Sequence, residues 1–409
     1  MIESRGALPT PTAFQGTLRK ITEALARELA CPTQRTPDWS DFEWKIARAV
    51  AAMHGVSPLL SKTLLWQDPA GWMTFLEEQR IHTATRHRRI ADLLQRIDER
   101  GRAAGIAAVA LKGAALHAIG LYAIGERPMA DIDLLVKPAD AERTARLFES
   151  LGYYEAYASW KERVFTPLAE RAVGGLGENS NNDVKIELHE RICEKLPWRI
   201  TDITDCVFPA QARPGVNAYP STASLMIHLL LHAAGAMAYQ ALRLLHLNDL
   251  AQLSSRMTEA DWDQVLAQRR RGGLWWAFPP LHLAARYFSS RIPSSVLAAL
   301  AGDCPLVLNR VSRRKTLYDV SYSYPCVDAF PGVEWSQSIR EVLEYAVSRV
   351  RPSAEHIALR ERSAKSEAWA SQSQWVRLTQ GRRIVRWVTS RPPRAVTMHA
   401  VSASLECSQ

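Results

Sequence analysis

The chain has 409 residues, 47% of them hydrophobic and 23% charged, which fits a soluble globular protein of two or three domains. Its formal charge of +9 suits polyanionic ligands, nucleotides first and nucleic acid second. The six cysteines are scattered with no C-x-x-C spacing, which excludes a zinc pattern and fits reduced thiols in a cytoplasm; the first residues lack the charged-then-apolar profile of a signal peptide.

Residues 40 to 100 read as helical. Trp44, Ile46, Ala47 and Val50 recur at helical spacing, and Gly55 and Pro58 interrupt the pattern. From Thr83 to Arg100, Ile90, Leu93, Leu94 and Ile97 form an apolar stripe against Arg86, Arg88, Arg89, Asp92 and Arg96. Acids between the arginines favour a solvated outer face over an RNA contact.

The central stretch runs from Val109 to Val136. An apolar strand from Ile106 to Leu111 stops at Lys112-Gly113, and helix formers follow. A glycine at such a turn lets backbone N–H groups approach a phosphate, and Lys112 adds a positive charge there. The stretch closes on Asp131-Ile132-Asp133-Leu134-Leu135-Val136, an alternating strand. Asp131 and Asp133 share one face of it, and two adjacent carboxylates call for a divalent cation. Two solvated acids on an edge strand are the plainer reading. Together, the turn and the acid pair suggest metal-assisted transfer from a nucleoside triphosphate.

Pro138 starts a helix that Gly152 ends. Strand-like pieces and a Gly/Asn-rich loop (174–182) follow. In the next strand Val184, Ile186 and Leu188 lie on one face, with Lys185, Glu187 and His189 on the other. Glu187 is thereby placed to be a third carboxylate; His189 is a metal-adjacent ligand, a base or, most conservatively, the hydrogen-bond partner that orients Glu187.

Residues 201 to 350 read as a second helical part. Ser224 to Leu247 nearly reaches membrane-span length, but His228, His232, Gln240 and Arg243 interrupt it, so a buried helix broken near Gly235 is expected. His228 and His232 stand four apart, as zinc pairs do, yet no third ligand is apparent; packing or substrate contact is the reading adopted. Arg243 either meets the nucleotide or pairs with Asp249. Beyond 350 the chain is Arg- and Ser-rich. Trp369, Trp375 and Trp387 beside Arg377, Arg382, Arg383 and Arg386 suit either RNA or an amphipathic terminal helix, and disorder is expected from about Ser390.

The order LKG, Tyr122, Arg127-Pro128, Asp131-x-Asp133, Gly152-Tyr153 and Ile186-Glu187-Leu188-His189 resembles a bacterial nucleotidyltransferase family of the DNA polymerase β-like superfamily. The resemblance covers roughly residues 40 to 260 and is closest from 106 to 191. Gly113 is followed by Ala114 where the superfamily has Gly or Ser, and the gap to Asp131 is longer than usual. The implied fold is α+β: a small mixed sheet over 101–200, between helical regions at 1–100 and 201–350, with a basic, partly disordered tail at 351–409. The implied site has Asp131, Asp133 and Glu187 as catalytic residues and ligands of Mg2+ (or Mn2+). Lys112, Gly113, Arg127 and Arg243 would bind the nucleotide, ATP included. The expected reaction moves a nucleoside monophosphate to a hydroxyl of a small-molecule, sugar or peptide acceptor and releases pyrophosphate. An RNA- or tRNA-directed enzyme of toxin type, supported only by the basic tail, and a non-catalytic nucleotide-binding protein are the alternatives.

Overall fold

The computed structural model describes residues 11–66, 70–169, 175–271, 273–322, 329–354, 357–358 and 378–389. The tail residues Trp369, Trp375 and Arg377, and everything from Ser390, lie outside them.

Four helices come first: α1 (Pro11–Ala30), α2 (Asp41–Met53), α3 (Ser57–Thr63) and α4 (Ala70–Ala104). Ser40 and Glu43 form a reciprocal capping box that starts α2. The break foreseen at Gly55 is real: its φ of +67° turns the chain, and Pro58 opens α3. The sheet elements follow as β1 (Ala107–Ala110), α5 (Lys112–Ala118), β2 (Asp131–Val136), α6 (Ala141–Ser150), β3 (Tyr153–Ala158), β4 (Arg163–Pro167) and β5 (Lys185–His189). A hairpin of β6 (Cys193–Leu196) and β7 (Arg199–Asp202) leads through α7 (Thr204–Val207) and β8 (Gly215–Asn217) into the helical part. That part contains α8 (Thr222–Ala238), α9 (Leu244–Ser254), α10 (Glu259–Ala267), α11 (Phe278–Tyr287), α12 (Ser294–Asp303), α13 (Leu306–Ser312) and α14 (Ile339–Val350), with α15 (Gln380–Thr389) beyond.

The six-stranded sheet has the order β3-β4-β5-β2-β1-β8. It is mixed: β2 and β5 run parallel, as do β1 and β8, while the other neighbours are antiparallel. With the flanking helices it makes the α+β architecture expected. Strand alternation divides its two faces. Ile132, Leu134, Ile186 and Leu188 pack with Phe148 of α6 and with Ile90, Leu93 and Ile97 of α4 in one core. Val109, Leu111 and Leu135 point the other way, into a larger core built by helices from both ends of the chain, including Leu18, Val50, Leu230 and Leu250. The helices before and after the sheet thus share one apolar interior.

The long apolar stretch is two helices, not one broken at Gly235. α8 continues through Gly235 to Ala238, and the turn falls at Gln240, whose φ is +57°. Gly235 has a different use: a Cβ there would stand 2.6 Å from Cδ of Glu194 and displace that side chain. Nor is the basic side of α4 wholly a solvated face. Arg88 and Arg96 are exposed, but Arg86 is buried, donates to the carbonyls of Met129 (3.1 Å) and Ala130 (3.2 Å), and pairs with Glu178 at 3.3 Å.

One buried ion pair fastens the segment before β2 to the helical part. Asp249 on α9 accepts from Arg127 Nε (2.9 Å), Arg127 Nη2 (2.7 Å) and the Tyr122 hydroxyl (2.8 Å), and the Asn248 amide donates to that hydroxyl (2.9 Å). Arg127 and Asp249 are 7% and 2% exposed, so removing either strands a charge away from water. Asp249→Ala should lower unfolding stability by roughly 3–5 kcal/mol in urea denaturation. A loss no larger than that of an exposed surface pair would show the fastening to be incidental.

Candidate active site

Asp131 and Asp133 lie on the face of β2 opposite Ile132, Leu134 and Val136 and share it with Leu135, and the parallel register sets Glu187 directly across from Asp133. Lys185 faces Asp131 and His189 faces Leu135 in the same ladder. The three acids expected from the sequence are therefore brought onto one sheet surface. Lys112 joins them from the end of β1, its Nζ 2.6 Å from Asp133 Oδ1. His189 Nε2 approaches the same oxygen at 3.1 Å and Glu187 at 3.8 Å. The histidine thus holds Asp133 more closely than Glu187, the partner expected for it.

Lys112 occupies a demanding position. Its φ of +45° is in the left-handed region, which L-residues adopt only when surroundings impose it. Its N–H donates to the Tyr219 hydroxyl at 3.3 Å, and that hydroxyl lies 2.6 Å from Nδ1 of His228 on α8. Burial keeps His228 neutral, so Nδ1 can accept from the tyrosine. This gives His228 a role: it braces the turn that aims Lys112.

Charge crowding sets the protonation states. Burial favours a protonated Asp133, but Lys112 and His189 outweigh it and hold the carboxyl well below the usual range. For Asp131, burial and then Asp133 raise the pKa against the pull of Lys112, Arg243 and Arg127. Glu187 is pushed up to about 9 by burial, then by Asp133 and Asp131, with Lys112 opposing. Burial also works against the charge on Lys112, yet the three acids hold it above an ordinary lysine. One cation among three carboxylates leaves an excess of negative charge. Ligand atoms of Asp133, Glu187 and His189 lie within 4.8 Å of one another, and a mixed oxygen and nitrogen set with that excess fits a divalent cation.

The remaining predicted residues divide. Gly113 is needed for packing, since a Cβ there would overlap Arg127 Nη1 and stand 2.9 Å from Met129 Sδ. Arg127, expected at the nucleotide, has Nε and Nη2 both paired with Asp249. Arg243 does not take Asp249; it is exposed at the start of α9, near enough to Asp131 and Glu178 to act on their charges. Glu178, unmarked in the sequence, lies near Asp131 as well. Gln79 holds its loop over the site, accepting from the Glu178 N–H at 2.6 Å and donating to the Glu178 carbonyl at 3.2 Å, and burial raises this carboxyl too. No periodicity marks a glutamate in a Gly/Asn-rich loop. Lys161, Glu194 and His232, unmarked as a group, also come together; Lys161 pairs with Glu194 at 2.5 Å, and His232 Nδ1 stands 3.7 Å from the same carboxylate.

Comparison with known families gives the class of protein first. The match is to nucleotidyltransferases, enzymes that transfer phosphorus-containing groups, and these draw on a nucleoside triphosphate donor. The chain belongs to the family described as "Uncharacterised nucleotidyltransferase", which matches residues 40–289, more than half of its length. No curated protein and no solved structure matches the chain. Among the described residues no helix is long and apolar enough to cross a membrane.

The raised pKa of Glu187 yields a pH dependence. An unfolded glutamate loses its proton near 4.5, whereas the folded chain keeps it up to about 9. The folded state therefore binds the extra proton across that window, and the stability this provides is lost as pH rises through it. A cation that needs the carboxylate must displace the proton, so its affinity should rise between pH 7 and 9 by up to about a hundredfold. Calorimetry with Mn2+ in buffers of different ionisation heat should find about one proton released at pH 7 and a flat response in Glu187→Gln. Equal affinity at both pH values would separate Glu187 from the cation.

Proposed function

We propose that this enzyme moves a nucleoside monophosphate from a nucleoside triphosphate to a hydroxyl of a small-molecule, sugar or peptide acceptor, releasing pyrophosphate. The observation that carries this reading is the facing of Asp133 and Glu187 across parallel strands, with Asp131 and Lys112 beside them. Asp133, Glu187 and His189, whose ligand atoms converge, would hold Mg2+ or Mn2+, with Asp131, outside that cluster, two residues away on the same face of β2. Such an ion, when bound, neutralises the phosphates and acidifies the acceptor hydroxyl.

Lys112, at the start of α5 beside Asp133, would direct its ammonium at the triphosphate. Arg243, exposed at the mouth, supplies a second cation for the phosphate chain. Arg127 serves by locking the approach to β2 against α9. Glu187 takes the acceptor proton, the acceptor oxygen attacks the α-phosphorus in line, and the bond to the β-phosphate breaks. Glu187 must first give up the proton it holds, which a cation held beside Asp133 would displace, before it can accept that of the acceptor.

Asp131→Asn with Asp133→Asn preserves side-chain size, and should abolish metal-dependent triphosphate binding in calorimetry. Unchanged, metal-independent binding by the folded double variant would sink the assignment. Glu187→Gln should leave nucleotide affinity within a few-fold and reduce turnover by roughly two orders of magnitude or more. Parental turnover in single-turnover assays would remove Glu187 from the chemistry; parallel loss of melting temperature would make it structural.

A further inference from the structure

The sheet face that carries the acids does not end at Glu187. Val164 on β4 lies opposite Glu187, and Tyr157 on β3 lies opposite Val164. In the row beside it, Tyr154 lies opposite Thr166, which shares the Val164 face by alternation. Glu155 points the other way, where it meets Arg163 (2.5 Å), and Arg163 also meets Glu142 of α6 (2.7 Å). The register shift between Glu155 and Tyr157 is what lets both tyrosines stand on the acid-bearing face. They are 37% and 39% exposed, and Trp160 at the hairpin tip is 46% exposed. Single exposed aromatics are ordinary; two tyrosines on one face that leads to Glu187, with a third exposed ring in the adjoining turn, form a platform.

The geometry points to this strip as the acceptor subsite, with a neutral sugar ring as its occupant. This assignment rests on the transfer reading above and names its acceptor class. Tyr157 stands two strands from Glu187, roughly 10 Å at ordinary strand spacing, so a saccharide lying on the tyrosine brings a hydroxyl to Glu187 across Val164. Tyrosine and tryptophan faces take the apolar side of a sugar, while carboxylates and imidazoles accept from its hydroxyls. Glu162, close enough to act on Glu187, and Glu194 near His232 supply such groups at the platform's border. Charge argues against a nucleic acid here. Lys161 is paired with Glu194, Arg163 with two glutamates, and Lys185 faces Asp131, so a polyanion meets no surplus of positive charge.

The test uses the full chain with four probes: maltose, chitobiose, hexauridylate and MgATP. Ligand-observed saturation transfer should label ring protons of at least one disaccharide. Tyr157→Ala and Trp160→Ala should weaken that binding by about tenfold, the scale of one lost stacking ring, while Tyr157→Phe retains it. Melting temperature and MgATP affinity should stay at parental values. The proposal is overturned if neither disaccharide is labelled while MgATP binds. It is equally overturned if the alanine variants weaken hexauridylate instead, or if they abolish a self-association seen by sedimentation, which would make the edge strand a contact between copies. Saccharide binding lost in the variants, in a parent that binds no MgATP, keeps the saccharide site but removes its acceptor role together with the transfer reading.

Discussion

The site depends on the ion pair between Lys112 and Asp133. Parallel pairing of β2 and β5 puts Asp133 beside Glu187 on a face largely removed from water, with Asp131 next to them. Three ionised carboxylates in that place would repel each other strongly. The chain answers in two ways: an ammonium lies 2.6 Å from one acid, and a second acid holds its proton far above the usual range. Both answers are reversible, because a lysine side chain can swing and a proton can leave. A site that balances its charge by removable means is ready to exchange them for a cation and a triphosphate.

That balance reaches into the helical part. The left-handed backbone of Lys112 is braced through Tyr219 by His228 of α8, and the approach to β2 is locked by Arg127 onto Asp249 of α9. His54, between α2 and α3, accepts the Leu244 N–H at 2.9 Å; burial first, and then Arg243, push its pKa down to about 3 and keep that acceptor neutral. The sheet supplies the chemistry, and helices from both ends of the chain hold it in register. This explains why a small sheet is accompanied by so much helix: the acids share their face with a core that those helices largely build.

The other border of the site is built differently. The loop bearing Glu178 is held by Gln79 and Arg86 of α4, and the β3–β4 hairpin projects with its aromatics exposed. Lys112 and Arg243 bring positive charge to the acids on one side, while on the hairpin Lys161 is paired with Glu194.

The sequence determined the elements and the acids by itself. Strand alternation placed Asp131, Asp133 and Glu187 on chosen faces, and Gly55, Pro58 and Gly152 marked turns that the fold retains. These are local rules, obeyed whatever the rest of the chain does. Tertiary structure alone decided the partners. That Arg127 rather than Arg243 takes Asp249, that His189 leans on Asp133, and that Gly235 makes room for Glu194 instead of ending a helix all depend on contacts across the chain. Glu178 and the Tyr154–Tyr157–Trp160 strip escaped for the same reason. A loop glutamate carries no period, and a register shift moves a tyrosine to the other face without leaving a trace in residue order.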